Sequence, residues 1–454
     1  MSSLRITIGG ARGIVGESLT PDLLVSYSHA FGTYVSGGRV LISRDTRPSG
    51  EMVRRCVLAG LQAAGCEVVD LGICPTAALQ LAVGQSDAAG GMAITAGHND
   101  IGWNALKTVR HDGIFLNRAQ AEELLDIYHQ REFLKASWDQ LHPAREDTEA
   151  GNRHLEAVAG QVDVAAIRDR ALVVAVDCVN GACSRYAPLL LGQLGCRFVE
   201  MNVDPTLPFP HKPDPSPANL SQLQALVKAS GADAGFCFDA DGDRLGIVCE
   251  NGHLPGEEMT ICLAAEMILS RGDEGPVVTN LCTTQGLDDL AQSHGHRPVI
   301  HTGIGQAYIS EAALNNAACV GGEGSGGCLF PRLNYANDSL ATMAHVLELM
   351  ARRGRLSGIV NALPQYTMTK ASLPCPAQFA FSALEALREE GEPDWADPAQ
   401  TDLTDGTRYQ GDRCWAYVRV SATEPLIRVI SEAPEAEQSK AMTDKLLTTI
   451  RQII

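Results

Sequence analysis

Three aspartates at alternate positions, Asp239, Asp241 and Asp243, stand in the segment Asp239-Ala240-Asp241-Gly242-Asp243-Arg244, directly after the apolar run Ala234-Gly235-Phe236-Cys237-Phe238. Carboxylates this close repel one another unless a hard cation lies between them. Mg²⁺ suits the set, because it takes a few carboxylates and completes its shell with phosphate and water oxygens. An EF-hand loop fits less well: its twelfth residue would be Glu250, which forces the loop through the strand-like run Leu245-Gly246-Ile247-Val248-Cys249. The bland alternative is a solvated acidic turn. A position just after a buried strand, where α/β sheets present ligands, favours the metal site.

Three further segments carry reactive groups. Thr95-Ala96-Gly97-His98-Asn99-Asp100, followed by Trp103-Asn104-Ala105-Leu106-Lys107, combines a flexible backbone with an imidazole, an amide and an ammonium; alone it reads equally well as a polar surface turn. Gly321-Gly322-Glu323-Gly324-Ser325-Gly326-Gly327 sets Glu323 and Ser325 among glycines, a donor and acceptor pair suited to sugar hydroxyls, or else a hinge. Arg419-Val420-Ser421-Ala422-Thr423-Glu424-Pro425-Leu426-Ile427-Arg428 gathers Arg, Ser and Thr in one turn, which can cradle a phosphate by charge-assisted hydrogen bonds or can be a plain hairpin.

The elements around these segments alternate in type. Strands are expected at 39–45, 66–72 and 90–95 with a helix at 49–64. The rhythm restarts with strand 171–177, helix 183–195, strand 196–202, helix 219–230 and strand 234–239. It restarts again with helix 257–271, strand 275–281, helix 286–294, strand 297–301, helix 305–316 and strand 317–321. Such alternation implies mixed or parallel sheets with helices on both faces. From about 366 a smaller α+β pattern follows, with strands at 414–421 and 426–433 and a closing helix at 436–453. The expected fold class is therefore α/β with four domains: 1–150, 151–253 and 254–365 of α/β/α type, and 366–454 of α+β type. The polar 136–168 stretch reads as a boundary region.

The 454 residues carry a formal charge of −18 and are 45% hydrophobic. That charge argues against a general nucleic-acid or membrane-surface binder, so an anionic ligand must be drawn in by a few local cations. The 14 Cys lie mostly in apolar runs, and no CxxC pair suggests zinc. No signal-peptide core and no membrane-length apolar stretch is visible, so a cytoplasmic protein with reduced thiols is expected.

Together and in this order, the four segments resemble the α-D-phosphohexomutase superfamily over essentially the whole chain. Its signatures are T-A-S-H-N-P, D-x-D-x-D-R, G-E-x-S-G and R-x-S-x-T-E-P. Gly10-Ala11-Arg12-Gly13, Arg44-Asp45-Thr46-Arg47-Pro48-Ser49-Gly50, Asp177-Cys178-Val179-Asn180-Gly181-Ala182 and Thr302-Gly303-Ile304-Gly305 extend the likeness. Trp103–Lys107 and the glycine-rich segment look most like the archaeal-type phosphoglucosamine mutase branch, which also contains enzymes of pentose phosphates. The resemblance implies four domains around one cleft, and Mg²⁺-dependent phosphoryl transfer on a glucosamine, glucose, mannose or pentose phosphate, through a phosphoserine and a sugar bisphosphate. Carried over, Asp239, Asp241 and Asp243 ligate the metal and Arg244 flanks the phosphoryl group. Arg12, His98 and Lys107 assist at the transferring end, Glu323 and Ser325 hold sugar hydroxyls, and Arg419, Ser421, Thr423 and Arg428 hold the other phosphate.

The departure is at the nucleophile. Gly97 stands where the family has its serine, and glycine offers no group to phosphorylate. Asp100 replaces the usual proline and Ala422 a smaller or amide residue. Thr95 and His98 are the nearby substitutes, with Thr95 expected on the opposite face if its strand continues. Three functions remain open: a mutase with a replacement nucleophile or a diffusible bisphosphate, a Mg²⁺-dependent sugar-phosphate phosphatase, and a catalytically silent phosphosugar binder.

Overall fold

The computed structural model describes residues 4–7, 9–421 and 425–454. Three α/β/α units follow one another and an α+β unit closes the chain. The first sheet has seven strands in the order Arg5–Thr7, Gly10–Ile14, Trp103–Arg110, Gly90–Ile94, Val40–Arg44, Val68–Ile73, Arg145–Glu146. Its centre is parallel, since Val40–Arg44 pairs in parallel with both Val68–Ile73 and Gly90–Ile94. Trp103–Arg110 then runs antiparallel to Gly90–Ile94. The residues 103–107, given no element in the sequence reading, are thus the start of an eight-residue strand.

The second sheet orders Leu245–Cys249, Ala234–Phe238, Val173–Asp177 and Arg197–Met201. The third orders Val299–Thr302, Val277–Asn280, Val320–Glu323 and Gly327–Leu329. Ala234–Phe238 and Leu245–Cys249 are buried at every residue, which explains unbroken apolar runs rather than alternation. The strand expected at 317–321 begins later, at Val320, because Ala317 turns left-handed (φ +48°) where the preceding helix Gln306–Asn315 ends.

The helices beyond those expected include Pro21–Tyr34, Thr76–Gly84, Arg118–Gln130, Leu356–Ala362 and Ala377–Glu389, and two more whose cause is plain. Ser339–Arg353 is buried along most of its length, so it carries no one-sided apolar stripe; Asp338 caps it by accepting from the Ala341 N–H. Ala150–Ala159 lies inside the presumed boundary stretch and packs Leu155 and Val158 into the core.

One apolar core runs without interruption from Leu41 through Val176 and Phe238 to Leu363, so the first three units share packing. The last unit has its own core, Cys375 to Ile450, beneath a four-stranded antiparallel sheet: Thr367–Pro374, Leu426–Ala433, Cys414–Val420, Thr407–Gly411. Only two of these four strands were expected; Thr367–Pro374 alternates exposed and half-buried residues and has little apolar signal. A small cluster of Leu281, Trp415 and Tyr417 joins the last unit to the third. Glu432 completes that junction, accepting from Trp415 Nε1 at 2.8 Å and from the Gln285 N–H at 2.6 Å.

Candidate active site

A cavity of about 460 Å³ opens where the units meet, a volume typical of small-molecule sites. Register explains much of its lining. Lys107 lies opposite Ala93 on the neighbouring strand, just before the chain leaves for Gly97. Arg12 pairs with Ala105, two residues from Lys107 and therefore on the same face.

The loop carrying Gly97 is held by Arg47, whose side chain is fully buried and paired with Asp45 at 2.9 Å. Its guanidinium donates to three carbonyls of the loop: Gly97 O at 2.6 Å, Asn99 O at 2.7 Å and Asp100 O at 2.6 Å. The ring of Phe209 lies 5.0 Å from the same guanidinium. Arg12 Nη1 donates to Asn99 Oδ1 at 2.9 Å. Gly97 itself is left-handed (φ +56°), and a Cβ built there meets nothing nearer than Asp241 Oδ1 at 3.4 Å and Oδ2 at 3.5 Å. The strand ends at Ile94, so Thr95 does not point away as expected. Its hydroxyl contacts Asp45 Oδ2 at 2.6 Å and Asp241 Oδ2 at 3.1 Å and accepts from the Gly97 N–H at 3.0 Å. Thr95 is 1% exposed and fully engaged.

The aspartate loop is tied to both neighbouring units. The carbonyl of Asp241 accepts from the Thr76 N–H at 2.9 Å, and that of Gly242 from the Ser339 N–H at 3.0 Å and its hydroxyl at 2.7 Å. Asp239 Oδ1 accepts from the N–H groups of Asp243 (2.8 Å) and Arg244 (3.1 Å). Lys107 Nζ donates to Asp241 Oδ2 at 2.7 Å and Asp243 Oδ2 at 2.6 Å. The opposite oxygen of each carboxylate, Asp239 Oδ2, Asp241 Oδ1 and Asp243 Oδ1, is buried with no hydrogen-bond partner. Like charges about 4 Å apart repel by about 4 kcal/mol at an effective dielectric constant of 20. A single ammonium offsets one of three carboxylates, so the residues present fit a divalent cation. The local electrostatics agree. Burial and the neighbouring Asp241 and Asp243 push Asp239 well above the usual carboxylate range. Burial would do the same to Asp241, but Lys107 outweighs it and holds that group low.

A different group, Asp177, His211 and Cys237, is the one among the described residues whose potential ligand atoms all lie within 4.8 Å of one another, which the three aspartates do not achieve without an ion between them. It is poorly suited to a metal. His211 Nε2 faces Asp177 Oδ2 at 2.9 Å and Nδ1 faces the Lys212 carbonyl at 2.9 Å, so both nitrogens need protons. The hydrogen bond to Asp177 raises the imidazole pKa despite partial burial, so the pair favours a protonated ring over a metal ligand.

On the facing wall, Glu323 ends its strand and accepts from Asn280 Nδ2 at 3.1 Å and from Ser325 Oγ at 2.7 Å. The glycines around it are packing requirements rather than a hinge. A Cβ at Gly322 would meet the Gly327 carbonyl at 2.4 Å, and one at Gly324 would overlap the Glu258 carboxylate. Arg419 reaches the cavity while paired with Asp405 at 3.0 Å.

Nine of the sequence candidates line the cavity: Arg12, Gly97, His98, Lys107, Asp239, Asp243, Arg244, Glu323 and Arg419. Asp241 lies immediately behind, bonded to Lys107. Ser325, Ser421 and Arg428 are not among the lining residues, although Ser325 reaches Glu323; Arg428 lies across from Arg419 in the antiparallel register. Thr423 lies outside the described residues. Phe115, Gln306, Tyr308 and Asn337 also line the cavity and had no sequence signal, apart from the Gly303-Ile304-Gly305 turn that starts the helix carrying Gln306 and Tyr308. Arg47 stood in a recognised arginine segment, but its clamp on three carbonyls depends on a tertiary contact 50 residues away.

Comparison with known proteins agrees with this arrangement. Domain families I, II and III of the phosphoglucomutase/phosphomannomutase alpha/beta/alpha type match residues 7–135, 152–252 and 255–366. A phosphoglucomutase/phosphomannomutase of Thermococcus kodakarensis is 35% identical over 440 residues, 95% of each chain. A protein of Pyrococcus abyssi described as a probable phosphoglucosamine mutase is 32% identical over 98% of this chain and 97% of its own. The crystal structure of a phosphoglucomutase/phosphomannomutase family protein from Burkholderia thailandensis superimposes with a TM-score of 0.86 at 27% identity, covering 99% of this chain and 98% of the other. With its four units, its shared cleft and these relatives, the chain belongs to the α-D-phosphohexomutase superfamily.

Proposed function

We propose that the protein binds an aldose phosphate or its bisphosphate in this cleft and catalyses Mg²⁺-dependent phosphoryl transfer without a phosphoserine. One observation carries the reading: Asp239, Asp241 and Asp243 each keep one buried carboxylate oxygen free, beside the cavity that Glu323 and Arg419 also line. When bound there, Mg²⁺ supplies positive charge beside the phosphoryl group, in a reaction that depends on positioning and electrostatic stabilisation. Arg12 and Arg244 flank the transferring phosphoryl, with Arg12 fixed through Asn99 and Arg244 through Asp214 at 3.4 Å. Lys107 holds the outer oxygens of Asp241 and Asp243 so that their inner oxygens stay available. Glu323, oriented by Ser325, receives sugar hydroxyls, and Arg419 with Ser421, Thr423 and Arg428 receives the second phosphate.

The relatives described as probable phosphoglucosamine mutases, with the segments Trp103–Lys107 and Gly321–Gly327, support a glucosamine phosphate first, ahead of glucose, mannose or pentose phosphates. Among the described residues no helix is long and apolar enough to cross a membrane. All 14 cysteines are free, which supports a cytoplasmic setting. A phosphatase is the second reading, because the space where a serine side chain would sit opens onto the Asp241 carboxylate and leaves water as the nucleophile to be activated. A silent binder fits poorly, since uncompensated buried carboxylates cost stability without serving binding. Phosphorus NMR of the protein with Mg²⁺ and glucosamine, glucose, mannose or ribose phosphates separates the three. Interconversion of the phosphate positions is expected. Release of inorganic phosphate would establish the phosphatase, and an unchanged spectrum would refute catalysis.

A further inference from the structure

We propose that His98 accepts the phosphoryl group in this chain, forming a phosphohistidine beside the position where a serine is missing. This rests on the phosphosugar reading above and adds the identity of the nucleophile.

The cavity limits the choice. Lys107 is an ammonium engaged by two carboxylates and has no lone pair to offer. Asp239 and Asp243 belong to the cation site, and Glu323 is held by Asn280 and Ser325. Thr95, the other substitute suggested by sequence, is 1% exposed with its hydroxyl tied to Asp45, Asp241 and Gly97. No incoming phosphorus atom can reach it.

His98 differs from all of these. It lines the cavity directly after Gly97, and its ring makes no hydrogen bond to the other described residues. The backbone beneath it is fixed by Arg47 at residues 97, 99 and 100. Arg12 and Arg244, both lining the same cavity, provide the charge a phosphoryl group needs. Burial, then Arg244 and Arg12, lower the imidazole pKa to about 3, so the ring is neutral at physiological pH. A histidine that served to bind phosphate by charge would need the opposite environment. A neutral ring walled by cations keeps a nucleophilic lone pair while its surroundings favour the anion that approaches.

In the step, the unprotonated ring nitrogen attacks a phosphorus of a sugar bisphosphate. The N–P bond forms as the P–O bond to the sugar breaks, and the departing sugar oxygen takes a proton from water in the cleft. In the return step a hydroxyl of a sugar monophosphate attacks the same phosphorus, gives its proton to water, and the N–P bond breaks.

The test uses the full chain with Mg²⁺ and glucose 1,6-bisphosphate. Protein-bound phosphate is located by peptide mass spectrometry, its stability in acid and alkali is compared, and melting with and without the sugar is followed in parallel. The expected result is phosphate on the peptide carrying His98, labile in acid and stable in alkali as a phosphoramidate is, and absent from a His98→Gln protein whose unliganded melting shows that it folds. If that variant does not fold, the mapped site in the unmodified chain decides. If the sugar raises the melting temperature but no acid-labile phosphate forms, or phosphate maps elsewhere, the inference is overturned while the cleft reading stands. If the sugar leaves melting unchanged, both fall.

Discussion

Restoring a serine at position 97 examines the loop geometry most directly. Gly97 sits at φ +56°, a conformation that costs an L-residue about 1–2 kcal/mol. Replacing glycine also removes unfolded-state freedom, which returns about 0.4–1 kcal/mol. The added Cβ meets only Asp241 oxygens, at 3.4 and 3.5 Å, which is ordinary contact. The Arg47 guanidinium still finds the carbonyl of residue 97, because that bond uses only the backbone of the substituted residue. Gly97→Ser is therefore expected to lose about 1 kcal/mol, a shift of about 1–2 °C in the transition of the first three units. It should also gain an acid-stable phosphate at residue 97 when incubated with Mg²⁺ and a sugar bisphosphate. Scanning calorimetry and phosphopeptide mass spectrometry measure the two effects. A drop of more than about 10 °C would show that the loop cannot hold a side chain. A folded variant that binds Mg²⁺ yet stays unphosphorylated would refute the reading of this loop as an intact phosphoryl site.

Other perturbations follow from the same contacts. Arg47→Met removes a buried cation from Asp45 and three carbonyls, and urea unfolding is expected to show a loss of about 3–5 kcal/mol, which Arg47→Lys does not repair for want of a planar fork. Asp239→Asn keeps an oxygen for the N–H groups of Asp243 and Arg244 while removing one of three crowded charges. The metal-free protein should melt higher, and the stabilisation that Mg²⁺ gives the unmodified chain should vanish; retention of that stabilisation would move the cation site elsewhere. The His211–Asp177 bridge raises the imidazole pKa above its unfolded value of about 6.5. Its contribution is thus complete below about pH 6.5 and fades as pH rises through the folded pKa. His211→Gln should flatten that part of the stability profile, and an identical slope in both proteins would count against the bridge.

How much was legible in sequence depended on how local the cause was. The loop Asp239–Arg244 declares itself because strand burial, a left-handed Gly242 (φ +76°) and alternating carboxylates all lie within ten residues. The α/β alternation was readable over part of the chain for the same reason; it missed helices such as Pro21–Tyr34 and Arg118–Gln130, and Ser339–Arg353, whose burial on nearly every side removes the stripe that marks a surface helix. The phosphate turn was legible as a group of residues but not as a placement. Arg428 pairs directly opposite Arg419 and shares its face of the sheet, and Ser421 lies just past the strand end at Val420, yet of the three only Arg419 lines the cavity.

By itself the sequence determined the kinds of groups available: three carboxylates, a histidine, a few cations, and a glycine where a nucleophile is expected. It also determined the order in which α and β elements deliver them. Only the tertiary structure decided which groups are free. The ammonium of Lys107 takes the outer carboxylate oxygens and leaves the inner ones bare, and Thr95 is consumed by Asp45 and Asp241 while the His98 ring stays open to the cleft. These outcomes depend on contacts between residues more than a hundred positions apart, such as Lys107 with Asp241, and on burial that a linear pattern does not record.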